Sequence, residues 1–403
     1  MHTVPLARRA SHLSSLAPAP VSHENIAFDS GHAFAGVLPD LITEAADALS
    51  LGHRLQTLQY APRAGLPELR EWIAGYMRAD GASVTSEEIL ITNGAKHALE
   101  LVCRLVVDEG DAVVVTAPTY FSAIPILCSF GVEFIEAPQD HLGLHVDALA
   151  EILDQRARDR KPRPKFIYNV PDFHNPTGVT MPLERRTALL DLARRYDVLV
   201  VEDSPYRKVR FEGESVPSLK SLDSDGHVLL LGTFSKLVAP GLRIGWVAAT
   251  ASIVARMAQL KTDAGSCPLT QRIILEFCSA AGRLDEHTAR VQAAYRSNRD
   301  RMMAAVAREL PDVTYPRPAG GYYLWLTLPS GVDGDDFARA ASEAGVTVIA
   351  GSRCFARGDG GHPRNHVRLA FSHATHDQID DGMARLARAL SSLVGRTLAT
   401  QNG

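Results

Sequence analysis

From residue 89 onward the chain alternates short aliphatic runs with longer segments whose apolar positions recur every three or four residues. Segments 89–92, 112–115, 132–136, 165–168, 198–201, 228–231 and 244–248 are dense in Val, Ile and Leu and read as strands. Between or before them, 41–51, 67–77, 95–107 and 183–196 carry helical spacing, the first opening near Asp40 and Thr43 as caps. Strands apolar on both faces, interleaved with amphipathic helices, predict a mostly parallel sheet covered on both sides. Residues 252–310 read as helical apart from a break at Gly265-Ser266-Cys267-Pro268. After Pro311 the pattern changes to strands at 321–328, 346–349 and 366–371, with helices at 335–344 and 377–392. That is a smaller α+β unit. Residues 1–40 read as an irregular, extended arm. The expected organisation is an arm (1–45) joining the small domain, a large domain (46–305) and a small C-terminal domain (306–403).

Composition narrows the class. With 403 residues, 46% hydrophobic and 22% charged, the chain can bury the cores of two domains. A net charge of −4 gives no electrostatic case for a nucleic-acid partner. The basic cluster at 156–165 has aspartates mixed in and reads as a solvated helix end. Five scattered cysteines with no Cys-x-x-Cys pair suggest neither a disulfide framework nor a metal site, and suit a reducing cytoplasm. The arginines in residues 1–10 are not followed by an apolar run, so no secretory signal is expected, and no run is long enough to span a membrane.

The chemistry concentrates in Gly232-Thr233-Phe234-Ser235-Lys236, followed by Pro240-Gly241-Leu242-Arg243-Ile244-Gly245. A lysine that attacks carbonyls needs a depressed pKa, which a desolvated pocket or a neighbouring cation supplies. Hydroxyls and an arginine beside it suit a phosphate. Together they point to pyridoxal 5′-phosphate, whose aldehyde condenses with lysine; a surface turn with a solvated lysine is the plain alternative. Asn93-Gly94-Ala95-Lys96 follows a strand and opens a helix, where free N–H groups bind phosphate, although any strand-to-helix turn has these requirements. Asn169 to Gly178 reads Asn-Val-Pro-Asp-Phe-His-Asn-Pro-Thr-Gly, a loop stiffened by two prolines that would hold the Asn175 amide in place, or an ordinary turn. Glu202 and Asp203 both qualify as an acid at a strand end. Asp203 would pair with a cation such as a pyridinium nitrogen, or else cap a helix. Arg368 lies in an apolar strand and needs an anion, either a substrate carboxylate or a structural partner.

In this order, Asn-Pro-Thr-Gly, Asp203-x-x-Tyr206 and Ser235-Lys236 followed by Arg243-x-Gly245 resemble the fold-type I, pyridoxal-phosphate-dependent aminotransferases of classes I and II, over about residues 25–394. Leu58 to Gly65 and Val170 to Pro176 are similar to the branch of 2-aminoadipate and kynurenine/aminoadipate aminotransferases. The resemblance implies a seven-stranded, mostly parallel large-domain sheet and ping-pong transfer of an amino group between an L-amino acid and a 2-oxo acid. It implies that Lys236 forms an aldimine with the cofactor and later moves the proton. Asp203 would pair with the pyridine nitrogen, Asn175 and Tyr206 would contact the 3-oxygen, and Tyr120 would stack on the ring. The N–H groups of Ala95 and Lys96, with Thr233, Ser235 and Arg243, would hold the phosphate. Tyr60 would reach the phosphate of the other subunit of a homodimer, and Arg368, assisted by Asn175, would clamp the substrate carboxylate. The chain departs from relatives at Gly94-Ala95-Lys96, where Gly-Ser-Gln is usual, and at 28–36. That second segment lines the substrate pocket in relatives, which makes Gly31, His32 and Phe34, and the preceding Arg8 and Arg9, candidates for specificity, with a plain surface arm as the alternative for the arginines. An oxidase or cyclase acting on an arginine-like amino acid is the second outcome this scaffold allows.

Overall fold

The computed structural model describes residues 25–357 and 361–401, with side chains to Val394. Arg8 and Arg9 lie outside the described residues. The strands are β1 (Ile26–Ala27), β2 (Ile89–Thr92), β3 (Ala112–Ala117), β4 (Glu133–Asp140), β5 (Gly143–Leu144), β6 (Phe166–Asn169), β7 (Leu199–Asp203), β8 (Val228–Thr233), β9 (Gly245–Ala248), β10 (Tyr323–Thr327), β11 (Val346–Thr347), β12 (Ile349–Ala350) and β13 (His366–Ala370). The large sheet runs β2-β9-β8-β7-β6-β3-β4-β5. Its centre, β8 through β4, is parallel, while β9 is antiparallel to both neighbours and β5 is a two-residue antiparallel addition at the edge. Apart from β5 these are the seven runs expected from the sequence. The result is a large mixed sheet of eight strands, as the fold type I resemblance leads one to expect apart from the added edge strand.

Period-2 alternation assigns each strand residue to a face. Val113, Val115, Tyr168, Val201 and Leu231 join one core, whereas Ala112, Val114, Ile167, Val200 and Val228 join another, packed with Leu149, Leu153, Leu189 and Leu190. Helices Val146–Arg158 and Leu183–Tyr196 supply those leucines. Burying each such side chain contributes roughly 1.5–3 kcal/mol. Because β2 is antiparallel to β9, and β9 to β8, the C-terminal ends of β2, β3, β6, β7 and β8 all reach one edge of the sheet.

Several expectations are corrected. The run 346–349 is two strands rather than one: β11 pairs with β1, and β12 with β13, because the chain turns at Val348 to serve different sheets. The arm is not wholly irregular, since β1 runs parallel to β11 and the Phe28 carbonyl accepts from the Ala370 amide at 2.7 Å. Helices Ala123–Cys128 and Val146–Arg158 add to those read from the sequence. The helical stretch expected over 252–310 breaks at 265–268 as read, between Ala251–Leu260 and Pro268–Ser279, and divides once more before Arg283–Glu309, with Gly265 (φ +101) and Gly282 (φ +72) supplying the left-handed turns.

Candidate active site

The strand ends surround a cavity of about 430 Å³. Gly31, His32, Ala95, Lys96, Tyr120, Asn175, Asp203, Tyr206, Thr233, Ser235, Lys236 and Arg243 all line it. Ligands in open α/β sheets sit at this edge.

Lys236 follows β8 and is partly buried, its Nζ donating to the Gly31 carbonyl at 2.7 Å. The Tyr322 ring lies 5.1 Å from Nζ, and the Tyr322 hydroxyl donates to the Lys236 carbonyl at 3.2 Å. Burial holds the amine below its ordinary range; Tyr323 opposes this, and the cations of Arg368, Arg243 and Lys96 add to it. An amine so placed is readily made neutral and nucleophilic. A Cβ at Gly31 would stand 2.2 Å from the Tyr323 hydroxyl, so a larger residue there would displace Tyr323.

β7 separates the two acids. Glu202 pairs in register with Asn169 and turns away from the cavity, where its oxygens accept from the amides of Leu219 (3.0 Å) and Lys220 (2.8 Å). It, and not Asp203, takes the capping role. Asp203 faces the cavity. Its Oδ2 accepts from the Tyr168 hydroxyl at 2.6 Å, whereas its buried Oδ1 has no partner. Burial pushes its pKa up to about 6 against the pull of the Tyr168 hydrogen bond. A buried carboxylate oxygen without a donor is costly, and a cationic N–H satisfies it.

Across from Asp203 the groups suit an anion. The helix Ala95–Val106 opens on Ala95 and Lys96, with its first amides free of helical partners. Thr233 Oγ1 accepts from the Ser235 amide (3.1 Å) and donates to Ser235 Oγ (3.0 Å), holding both hydroxyls together. Arg243 adopts a left-handed backbone (φ 54), sparsely populated for non-glycine residues, and its Nη2 donates to the Asn93 carbonyl at 3.1 Å. Gly94 (φ +90) makes room, as a Cβ there would lie 2.9 Å from that Nη2. Burial, with Arg243 close by, lowers the Lys96 pKa. Among the described residues no carboxylate is within 4.0 Å ion-pair distance of Lys96, Lys236, Arg243 or Arg368, so these cations converge without a counterion.

Arg368, on β13, is fully buried. Nη1 donates to Asn175 Oδ1 at 3.0 Å, Nη2 donates to the Asp29 carbonyl, and Nε has no partner. Its guanidinium lies 4.1 Å from the Tyr323 ring centroid and 5.0 Å from that of Phe121. Asn175 Nδ2 approaches the Tyr206 hydroxyl at 3.5 Å, and Tyr206 donates to Tyr323 at 3.3 Å. Tyr120 has its hydroxyl pKa pushed up to about 12 by burial, so it stays neutral. His32 meets His373 edge-on with ring centroids 5.7 Å apart.

The cavity therefore gathers the expected residues with two exceptions. Arg368 stands behind Asn175 rather than in the wall, and Tyr60 is 81% exposed on its own chain, outside the cavity. Tyr168, Tyr322 and Tyr323 were not foreseen. Their signal lies in pairing between distant strands. The orphaned Asp203 Oδ1, the unpaired cations and the adjacent lysine fit pyridoxal 5′-phosphate, which brings a protonated ring nitrogen, a phosphate and an aldehyde.

Residues 23–386 match the family model for aminotransferases of class I and II. The chain is 36% identical over 354 residues to aromatic-amino-acid aminotransferase 1 of Thermococcus litoralis, covering 87% of this chain and 84% of that protein. A crystal structure of a multiple substrate aminotransferase from Thermococcus profundus superposes with a TM-score of 0.89 at 33% identity, covering 97% of this chain and 98% of the other. α-Aminoadipate aminotransferase from Thermus thermophilus, complexed with N-(5′-phosphopyridoxyl)-L-leucine, superposes with a TM-score of 0.84 at 34% identity, covering 92% and 93%.

Proposed function

Because the chain belongs to the class I and II aminotransferases, enzymes that move amino groups with pyridoxal 5′-phosphate, we propose that the cavity around Lys236 is its catalytic site, with the following division of labour. The observation that carries the assignment is a buried acid with one free oxygen, opposite a lysine and a set of cations that lack a counterion.

When bound, the cofactor supplies an aldehyde that condenses with amines and a ring that accepts the electron pair left when the Cα–H bond breaks. Lys236 takes that proton from Cα and returns it one position along, as a general acid–base. Asp203 would keep a proton on the ring nitrogen. Ala95 and Lys96 amides, Thr233, Ser235 and Arg243 would hold the phosphate. Asn175 and Tyr206 would hydrogen-bond to the 3-oxygen, and Tyr120 would pack against the ring. Arg368 and Asn175 grip the α-carboxylate, which orients the Cα–H bond toward Lys236. Gly31 and His32 border the substrate side chain. The cycle is ping-pong: one L-amino acid leaves as its 2-oxo acid before a second 2-oxo acid is aminated.

The working form is a homodimer to which each subunit lends Tyr60 at the other's phosphate. Supporting this, Leu51, Leu55 and Tyr60 are 84%, 81% and 81% exposed within a run of uncovered apolar side chains from Leu38 onward. The relatives named above are transaminases of aromatic amino acids, of α-aminoadipate and of multiple substrates; amino acids of these classes are the donors to try first. The oxidase or cyclase alternative gains no support from these relatives. We place the enzyme in the cytoplasm, which suits its five unpaired cysteines.

The test is the half-reaction. Amino donors added singly to holoenzyme without oxo acid should shift the visible absorbance to the pyridoxamine form and release one 2-oxo acid per site. Oxygen uptake with continuous ammonia release, and no pyridoxamine form with any donor, would overturn the assignment.

A further inference from the structure

Nothing in a bare carboxylate decides which of its oxygens faces a ligand, or keeps it charged once buried. In Asp203 that decision is made from behind. β6 and β7 run parallel with Tyr168 opposite Val201, so Asp203 lies two residues further along the same face. The Tyr168 side chain reaches diagonally across that step, a distance long aromatic side chains can span. Its hydroxyl donates to Oδ2 at 2.6 Å, and Tyr168 is itself completely buried in the core beside Val115 and Val201. Oδ1 is left bare toward the cavity.

We infer that Tyr168 is a positioning residue: it fixes the Asp203 carboxylate with Oδ1 outward and holds it in the charged form required by a cationic ring nitrogen. This inference rests on the assignment of Asp203 to that nitrogen. Two physical points support it. Burial alone drives a carboxyl toward its neutral form, and among the groups that face Asp203 the Tyr168 hydroxyl is the one that opposes this. Tyr168 in turn has its own pKa raised well above the ordinary value, by burial first and then by Asp203, so it acts only as a donor. Without that donor Oδ2 is left unsatisfied, the carboxylate becomes more basic, and the proton shared with the ring nitrogen moves toward Asp203. The ring then accepts electrons less well.

The variant is Tyr168→Phe, which removes one oxygen and keeps the packed ring. Holoenzyme is prepared with cofactor carrying ¹⁵N at the ring nitrogen, and the nitrogen chemical shift and the cofactor dissociation constant are measured. Tyr168→Phe should move the shift toward that of unprotonated pyridine and raise the dissociation constant about tenfold or more, the scale of a hydrogen bond to a charged group. Asp203→Asn should move both further, and adding Tyr168→Phe to Asp203→Asn should change neither. If Asp203→Asn moves the shift while Tyr168→Phe leaves it unchanged, the inference is overturned, even where the variant loses thermal stability. If Asp203→Asn itself leaves the shift unchanged, the assignment of Asp203 to the ring nitrogen fails, and this inference with it.

Discussion

Replacing Arg368 by methionine distinguishes an arginine held ready for a ligand from one that serves the fold. Methionine keeps the length and apolar stem and removes the fork and the charge. For stability the effects oppose one another. A desolvated cation without a counterion is removed, which relieves a penalty of several kcal/mol. Against this, Asn175 Oδ1 and the Asp29 carbonyl lose their donor, at about 1–3 kcal/mol each. The contact with the Tyr323 ring, worth about 2 kcal/mol when desolvated, is also lost. The net change in the ligand-free protein should stay within about 2 kcal/mol. For function nothing opposes the loss. Two charge-assisted hydrogen bonds to the substrate carboxylate, at about 1.5–3 kcal/mol each, correspond to a fall in kcat/KM of roughly 10²- to 10⁴-fold. The assay compares kcat/KM for an amino acid and for the corresponding amine lacking the α-carboxylate, alongside thermal unfolding without ligand. The amino acid should lose most of its advantage over the amine. An unchanged kcat/KM together with a stability loss of about 3–5 kcal/mol, as when a buried pair is broken, would show that the arginine is structural.

Other consequences are simpler to state. Lys236→Ala should bind cofactor but lose the donor-driven absorbance change and about 10²- to 10⁴-fold in turnover, measured by single-turnover spectroscopy; retained turnover would refute the role given to the lysine. Asp203 has its folded pKa raised from 3.8 to about 6, so its contribution to the cofactor-free protein is fully present below pH 3.8 and lost as pH rises through 6. At about 1.4 kcal/mol per pH unit, wild type should fall behind Asp203→Asn by up to about 3 kcal/mol between those pH values in denaturant unfolding, and a flat difference would be contrary. Leu55→Asp should dissociate the dimer in sedimentation and weaken cofactor binding, while Tyr60→Phe should weaken cofactor binding without dissociation. Gly94→Ala, which forces both the left-handed backbone and Arg243 to adjust, should raise the cofactor dissociation constant severalfold in equilibrium dialysis.

What the sequence shows and what it hides divide along a physical line. The strands of the parallel sheet are legible because they are buried on both faces, which leaves an unbroken apolar run such as Ala112-Val113-Val114-Val115; no register is needed to see it. Lys236, Arg243 and the Asn175 loop are legible because their chemistry is local, set by hydroxyls, glycines and prolines within a few positions. Glu202 and Asp203 both qualify by residue type; the Asp-x-x-Tyr resemblance selects Asp203, and the pairing of Asn169 with Glu202 supplies the physical reason by assigning them to opposite faces. One then caps Leu219 and Lys220 and the other keeps a bare oxygen in the cavity. Tyr168 is less legible still, since its meaning depends on a residue 35 positions away on a strand whose register no local pattern records. The same holds for the split at Val348, where one apolar run serves two sheets. Tyr60 marks the limit of a single chain. Its surroundings within this chain leave it exposed beside Leu55 and Leu58, and the second subunit proposed above is what would cover it.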